Sequence, residues 1–371
     1  MVLWATILVP SLLPFFIIAE IILNLGVVKA LGVLFEPLMR PVFNLPGSAS
    51  FVVVMGFTSG FPMGALLTRR LVEEKLCTVN EGERLIAFTN NSSLLFILAA
   101  IAVGIFSNPL LGIILAGAHY FSNILVGIIL GLFSARPRQV NPKVGGLLLQ
   151  SYKVFIETQR KRLSFGDLLG QAVKKGVNNI IMIGGFVIFF AVVVRLLKAS
   201  TVLGLFSFMI NTLISVFGLT VSLGPAFATG FWEMSLGIKE LSNFSLDMTQ
   251  IAVAASIILA WSGISIQSQV VSVLAGSGIK PRLYYLGRII QCFISGLIAW
   301  LLTVTSNYWS IYVSVPVFSS TVLKAMSIGE RFENSLRIIV ESFTLIFTVF
   351  ILCSLIFYFF FLLKKLFSNN F

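Results

Sequence analysis

The stretch Phe88–Phe96, FTNNSSLLF, places five consecutive polar residues inside an apolar segment that runs from Ile86 to Phe106. A segment of this length can cross a bilayer, because a membrane-spanning helix needs about 20 predominantly apolar residues. Inside hydrocarbon every backbone polar group must find a protein partner, so irregular backbone survives only where it is buried in protein or lines a wet cavity. The stretch therefore predicts a transmembrane helix that is interrupted at a functional site.

The composition of the whole chain indicates a membrane protein. Of its 371 residues, 57% are hydrophobic and 11% are charged, whereas soluble domains average about 25% charged residues. The net charge of +12 is explained by cytoplasmic loops, which collect Lys and Arg in membrane proteins. The lipid bilayer is therefore an expected partner and nucleic acid is not. The expected fold class is an all-α polytopic membrane protein.

Few residues are available for metal or redox chemistry. His119 is the only histidine, and the cysteines Cys77, Cys292 and Cys353 are far apart with no CxxC pair. Neither a metal site nor a disulfide framework is indicated by this pattern, and there is no HExxH motif. We expect no metal, no other cofactor and no enzymatic activity.

Apolar segments near the length of a spanning helix recur along the chain. Full spans are predicted at about 4–25, 85–106, 109–134, 178–198, 250–275, 282–304 and 340–363. The first of these lacks a basic n-region and a cleavage site, which favours a retained span over a signal peptide. Shorter segments at 30–45 and 201–217 are typical of shallow helices at the membrane interface.

Two further apolar stretches, at about 48–68 and 220–238, are interrupted near their middles by Gly and Pro. The interruptions are GFTSGFPMG (56–64) and GPAFATGFWEMSLG (224–237). Neither side of either break is long enough to cross a bilayer alone, so both stretches are predicted to be re-entrant helical hairpins. After the first hairpin, Thr78 followed three residues later by Glu81 matches a capping box at the start of a helix.

The two halves of the chain match each other weakly at an offset of about 170 residues. The matched pairs include Gly60-Phe61 with Gly230-Phe231, Ser92 with Ser262, and His119 with Arg288. The order of elements also matches, and each half carries an odd number of crossings, so the two copies insert in opposite orientations. This predicts an inverted repeat with two re-entrant hairpins and two interrupted transmembrane helices, which is the architecture of many secondary transporters.

The basic residues orient this repeat. Residues 135–177 carry a cluster of Lys and Arg, which predicts a cytoplasmic linker and places the N-terminus outside and the C-terminus in the cytoplasm. The expected organisation is a first repeat at 1–134, the linker at 135–177, a second repeat at 178–304, an external loop at 305–339, and a last transmembrane helix with a cytoplasmic tail at 340–371.

The polar interruptions and the hairpin tips supply the candidate substrate-binding residues. Interrupted segments at corresponding places in two halves are the best pointer to a transporter site, and the N-terminal ends of half-helices favour a carboxylate or phosphate. The candidates are Thr58, Ser59, Gly60, Thr89, Asn90, Asn91, Ser92, Ser93, Thr229, Gly230, Ser262, Gly263 and Ser265. The competing interpretation is that these side chains only bind neighbouring helices.

Three ionisable residues stand apart from this set. His119, expected near the membrane midplane, and Glu233, the only acidic residue near a hairpin tip, are candidates for coupling or for pairing with an anion. A histidine bonded to a neighbouring helix and a glutamate facing water fit the sequence equally well. Arg288 is expected to snorkel to the cytoplasmic surface. Coupling to protons or sodium and assembly into a homo-oligomer stay open.

A family resemblance is carried by three segments: SGFPMGALL (59–67), EGERLIAFTNNSSLLFILAAIAVGIF (81–106) and LGIILAGAHYFSNILVG (111–127). They resemble the sporulation integral membrane proteins of endospore-forming Firmicutes, within the nucleoside-recognition or gate domain superfamily. The resemblance is specific over about 47–134 and weaker over 180–304. It implies gate-type repeats with a fold similar to concentrative nucleoside transporters. It also implies a role late in sporulation, in the mother-cell-derived membrane around the forespore.

Proteins of this kind are associated with moving dipicolinic acid from the mother cell toward the forespore. The resemblance therefore implies a transporter for this small organic anion. The chain lacks the acidic cluster that many sodium-coupled nucleoside transporters carry at their hairpin tips, and amides and hydroxyls in its place favour an anion. The alternatives are a transporter of nucleosides or another small metabolite, and a non-transporting scaffold that recruits sporulation partners through the basic loop at 135–176.

Overall fold

The computed structural model describes residues 9–134, 146–159, 165–216 and 223–306. Within these ranges the chain forms fourteen α-helices and one π-helix, with no β-strand, which confirms the all-α class. The last predicted span at 340–363 and its cytoplasmic tail lie outside the described residues, as does almost all of the external loop predicted at 305–339.

Among the described residues, four helical stretches are long and apolar enough to cross a membrane. They are Pro109–Leu132, Gly166–Ala199, Met248–Leu274 and Arg282–Thr305. The first helices of the chain add a bent pair, Phe16–Asn24 and Val27–Phe43, with an angle of 82° between them. Several spans in one chain confirm the polytopic membrane class.

The first half of the chain follows the predicted order of a span, a shallow helix, a broken hairpin, an interrupted helix and a second span. The bounds are α1 Val9–Asn24, α2 Val27–Phe43, α3 Ala49–Ser59, α4 Met63–Glu73, α5 Val79–Thr89, a π-helix Phe96–Val103 and α6 Pro109–Leu132. Each predicted element of this half has a helical counterpart within a few residues of its expected position.

The second half repeats this order after an additional helix. The bounds are α7 Leu147–Gln159, α8 Phe165–Ala199, α9 Val202–Val216, α10 Gly224–Trp232, α11 Met234–Leu241, α12 Met248–Trp261, α13 Gly263–Leu274 and α14 Arg282–Ser306. The predicted boundary between linker and second repeat, at 177 and 178, falls inside the continuous helix α8. Its first turns are helical because Leu168 and Ala172 bury one face and Gly176 packs against α1.

Both predicted hairpins are present. The first consists of α3 and α4 with residues 60–62 at its tip, and the second consists of α10 and α11 with Glu233 alone between them. Gly60 has a φ of 87°, a conformation that glycine adopts without steric cost. The first tip therefore forms at a glycine, whereas the second turns at Glu233, whose backbone is extended with a φ of −144°.

Both predicted interruptions are present as well, although they are shorter than the polar runs. We call residues 90–93, between α5 and the helical turn that leads into the π-helix, the first break. We call Ser262, which separates α12 from α13 with a φ of 70°, the second break. The polar residues that follow Ser262 are helical, because backbone hydrogen bonds resume immediately after one residue.

The two interrupted helices begin with the same capping motif. Thr78 and Glu81 form a capping box at the start of α5, as the sequence predicts. Asp247 and Gln250 form another at the start of α12. Capping side chains satisfy the free N–H groups at a helix start, so both helices are anchored at the end away from their breaks.

Close glycine contacts seat the first hairpin on the end of α5. A Cβ added to Gly56 or Gly64 would lie 2.2 Å or 2.4 Å from the backbone oxygen of Thr89, distances that no real side chain tolerates. The two legs of the hairpin therefore pack backbone against backbone on the last residue of α5. This packing brings the hairpin tip next to the first break.

Candidate functional site

Arg288, on α14, lies between the two breaks. It is fully buried, and its Nη1 donates to the backbone oxygens of Asn90 at 3.1 Å and Ala260 at 3.4 Å. Asn90 begins the first break and Ala260 closely precedes the second. These two residues are related by the offset of about 170 residues that relates the halves of the sequence. One guanidinium thus bridges equivalent carbonyl groups of the two halves.

The other terminal nitrogen of Arg288 completes a shell of neutral oxygens. Nη2 donates to the backbone oxygen of Ala87 and to Oδ1 of Asn123, both at 2.9 Å. The ring of Tyr284 lies 5.5 Å from Cζ, within cation–π distance, and Nε has no hydrogen-bond partner. In the described part of the chain no carboxylate pairs with Arg288, although a guanidinium is not deprotonated in proteins.

The expectation that Arg288 snorkels to the cytoplasmic surface is wrong. The preceding residue, Gly287, lets α14 approach α5 so closely that an added Cβ would lie 2.8 Å from the backbone oxygen of Ala87. At this distance the carbonyl groups at the end of α5 reach the guanidinium directly. Carbonyl partners inside the protein replace the water that a snorkelling side chain would seek.

Most of the buried polar side chains of α14 lie on one face of the helix. Four of them, Tyr284, Arg288, Gln291 and Ser295, are spaced by four, three and four residues as one helical face requires. Nε2 of Gln291 lies 3.4 Å from Nδ1 of His119 on α6. Gln291 and Asn123 are not among the residues predicted for the site, although polar residues at this spacing in an apolar helix signal a polar face.

His119 holds the first break in place. The backbone N–H of Ser92 donates to Nε2 of His119 at 3.1 Å. Because Nε2 accepts this bond, the neutral ring carries its proton on Nδ1. Tyr120, the next residue, donates its hydroxyl to the backbone oxygen of Ser92 at 2.9 Å and to that of Phe57 at 3.1 Å. Helix α6 therefore binds both the break and the hairpin.

Asn90 links the first break to the first hairpin. Its Oδ1 accepts a hydrogen bond from the backbone N–H of Ala65, in the first turn of α4, at 2.8 Å, and its Nδ2 donates to the backbone oxygen of Ile86 at 2.9 Å. Both ends of this amide are satisfied by the protein. Asn91 differs, because its Nδ2 donates to the backbone oxygen of Phe88 while its buried Oδ1 has no partner.

Each hairpin tip approaches the break of its own half. A Cβ on Gly60 would lie 3.2 Å from Cβ of Ser93, and a Cβ on Gly263 would lie 2.9 Å from the backbone nitrogen of Met234. Gly263 also has a φ of 78°. Gly230, within α10, packs on Ile258 of α12 with a Cβ distance of 2.9 Å. The candidate glycines thus allow close approach of backbones around the breaks.

Glu233 caps a helix at the second hairpin tip. Its Oε2 accepts a hydrogen bond from the backbone N–H of Leu236 at 2.7 Å, at the N-terminal end of α11. The N-cap residues of α4 and α13, Pro62 and Ser262, make no such side-chain bond. The start of α11 is therefore capped by the carboxylate of its own N-cap residue, whereas the starts of α4 and α13 are not.

Several buried polar atoms at the tips and breaks have no hydrogen-bond partner. They include Oγ of Ser59, Oδ1 of Asn91 and Oγ1 of Thr229. Ser59 and Thr229 occupy equivalent positions in the two hairpins at the offset of about 170 residues. A buried unpaired polar group costs about 1–3 kcal/mol, and a ligand or water that bonded to these atoms would remove that cost.

The remaining polar candidates are exposed, or they bond or pack within their own helices and turns. Thr58 is exposed, and its hydroxyl donates to the backbone oxygen of Val54. Thr89 is the last residue of α5, Ser93 accepts a bond from the backbone N–H of Phe96, and Ser262 donates to backbone oxygens of α12. Ser265 is buried within α13.

The comparisons with known proteins agree with this architecture. Residues 5–133 match the protein family described as Gate, nucleoside recognition. Over 304 residues the chain is 37% identical to the sporulation integral membrane protein YlbJ of Bacillus subtilis (strain 168), and the match covers 81% of this chain and 74% of YlbJ. No solved structure matches, so the similarity to concentrative nucleoside transporters stays a prediction.

Broken hairpins, interrupted helices and a buried polar centre define an integral membrane protein with a gate-type domain. The extent of the match is sufficient to assign the family as well. The chain belongs to the family of the sporulation integral membrane protein YlbJ.

Proposed function

We propose that this protein is a membrane transporter for a small organic anion, with dipicolinic acid as the favoured substrate. The name of its relative YlbJ supports a role in sporulation. We place the protein in the mother-cell-derived membrane around the forespore, where it moves the anion from the mother cell toward the forespore. Its N-terminus is outside and its C-terminus is cytoplasmic in this proposal.

The observation that carries the proposal is the buried charge of Arg288. Its guanidinium contacts the carbonyl ends of α5 and α12, and a helix C-terminus carries roughly half a negative charge. The positive charge of Arg288 offsets the partial negative charges at these two helix ends. The positive N-terminal end of α13, which no N-cap side chain serves, then remains at the second break, and such ends favour anions.

The unpaired buried groups supply directional contacts for such a substrate. The hydroxyls of Ser59 and Thr229 can each donate a hydrogen bond to a carboxylate oxygen. They come from different hairpins, as expected for a substrate that is held between the two halves of a repeat. Movement of the two hairpins relative to the other helices would then expose the site to one side of the membrane at a time.

The test is uptake of labelled dipicolinate and of labelled uridine into proteoliposomes that contain the purified protein. We expect uptake of labelled dipicolinate. Unlabelled dipicolinate should inhibit this uptake by competition, and uridine should not. Ser59→Ala should reduce uptake several-fold, whereas its neighbour Thr58→Ala should leave uptake unchanged, because the Thr58 hydroxyl is exposed and bonded within its own helix. Equal effects of the two variants would contradict the site.

One observation favours a second candidate function. The family matched by residues 5–133 is described as nucleoside recognition, which supports a nucleoside as the substrate. Uridine uptake without dipicolinate uptake would establish this alternative and overturn the proposed substrate. Absence of flux for both substrates, in protein that remains folded in the vesicles, would support the non-transporting scaffold instead.

A further inference from the structure

We infer that Arg288 acts as a tethered cation at the centre of the repeat. Carriers with broken helices hold their mobile coupling cations at unwound carbonyl groups and at the C-terminal ends of half-helices. In this chain those groups, the backbone oxygens of Asn90 and Ala260, receive the guanidinium of Arg288. The inference deepens the proposed function, because it assigns the positive charge of the same site to the protein itself.

The coordination of the guanidinium supports this assignment over a purely structural one. Four neutral oxygens surround Nη1 and Nη2 at 2.9 to 3.4 Å, three from backbone carbonyls and one from the amide of Asn123. Charged side chains inside a membrane protein are costly, pair with one another or with backbone carbonyls, and typically mark a substrate or ion pathway. Within the described residues every hydrogen-bond partner of Arg288 is a neutral oxygen, and it lies where both halves contribute an equivalent oxygen.

A tethered cation predicts two properties. The positive charge is present in every conformation that keeps α14 against α5, so substrate binding at the breaks does not require sodium. Removing the side chain should leave an oxygen-lined space that accepts a small guanidinium cation from solution. The second property concerns binding and stability alone, and it can be measured without any transport.

The experiment compares thermal unfolding of the purified wild-type protein, Arg288→Ala and the control Arg195→Ala, with and without millimolar methylguanidinium. Arg195 is exposed on α8. A cation that binds only the folded variant raises its midpoint, so we expect an increase of at least about 2 °C for Arg288→Ala and no increase for the wild-type protein or the control. Methylurea, which is neutral and similar in shape, should not replace methylguanidinium.

Absence of a methylguanidinium effect on Arg288→Ala, or an equal effect of methylurea, would overturn the inference. If Arg288→Ala does not fold, Arg288→Ser serves the same comparison, since it also removes the charge and leaves the space of the guanidinium open. Uptake by the wild-type protein in sodium-free buffer tests the first property, and an absolute sodium requirement would also overturn the inference. Failure of the wild-type protein to transport at all would contradict the proposed function and leave the unfolding result intact.

Discussion

The backbone N–H of Ser92 donates a hydrogen bond to Nε2 of His119 over 3.1 Å, and this bond joins the first break to α6. A residue outside a helix has a backbone donor that its own segment does not satisfy. The imidazole of His119, which is fully buried, satisfies it from a neighbouring helix. The conformation of the break therefore depends on a side chain 27 residues further along the chain.

The first prediction concerns this bond. His119→Phe keeps a ring of similar size and removes the acceptor, which leaves the buried Ser92 N–H without a partner at a cost of about 1–3 kcal/mol. We expect a lower midpoint of thermal unfolding and weaker uptake. The control is Phe121→Ala, because Phe121 on the same helix is 43% exposed. A His119→Phe protein as stable as the wild-type protein would show that the bond contributes nothing.

The second prediction concerns the close contact between α14 and α5 that places Arg288 next to the carbonyl groups at the end of α5. Gly287→Ala places a Cβ 2.8 Å from the backbone oxygen of Ala87 and 3.0 Å from its Cβ. We expect α14 to move away from α5, with a destabilisation of about 1–3 kcal/mol from overpacking and a loss of uptake. Gly185→Ala on α8, which meets nothing within 4 Å, should be neutral in both measurements. Equal stability of the two variants would contradict the predicted role of Gly287.

The third prediction concerns a buried carboxylate that joins the first hairpin to two neighbouring helices. Glu20 on α1 accepts a hydrogen bond from Nη2 of Arg70 on α4 at 2.8 Å and also pairs with Lys175 on α8. Removing one partner of a buried pair leaves charge uncompensated, and since Arg70 and Lys175 are partly exposed we expect Glu20→Gln to cost about 2 kcal/mol.

The matched control for this variant is Glu240→Gln. Glu240 pairs with Lys198 at 2.8 Å, but the Lys198 side chain is 48% exposed, and exposed pairs contribute about 0–1 kcal/mol. The measurement is the thermal midpoint of each variant in the same detergent. A larger loss for Glu240→Gln than for Glu20→Gln would contradict the argument from burial.

The fourth prediction is a pH dependence in the turn between α4 and α5. Burial raises the pKa of Glu81, but hydrogen bonds from Thr78 and from Arg40, at 2.5 Å, outweigh it and hold the pKa below its ordinary value of 4.5. A carboxyl group whose pKa is lowered on folding stabilises the folded state above its unfolded pKa, and this contribution is lost as the pH falls through the folded value.

The variant that tests this dependence is Glu81→Gln, which keeps an amide for the capping box and removes the charge. We expect it to be about 1 kcal/mol less stable than the wild-type protein at neutral pH. The difference should shrink once the pH falls below about 4.5, as followed by thermal unfolding across this range. A difference that stays constant from neutral to acidic pH would show that the charge of Glu81 does not stabilise the fold.

Much of the architecture could be predicted from local sequence. Long apolar runs predict the spans because of the thickness of the bilayer, and Gly60 predicts the first hairpin tip because glycine alone adopts its backbone conformation freely. The capping box of Thr78 and Glu81 also depends only on residues three apart. All of these features depend on neighbours along the chain, and the described part of the structure contains the capping box, the first hairpin tip and several of the predicted spans.

The lengths of the breaks and the partners of the polar side chains depended on contacts between distant segments. The polar run after Trp261 is helical from Gly263 onward, since its side chains are accommodated within packed helices. The side-chain oxygen of Asn90 accepts a hydrogen bond from the backbone N–H of Ala65 on another helix. No local pattern indicates this partner. A polar residue in an apolar run marks a special position, but the run does not identify the partner.

Arg288 shows the same division most clearly. From local sequence, an arginine is predicted near the cytoplasmic start of the last described span, where a long charged side chain normally reaches water. Only the tertiary structure placed the carbonyl groups of Ala87, Asn90 and Ala260 around it. The direction of a flexible cation is decided by whichever oxygens lie within its reach, and here the two halves of the chain supply them.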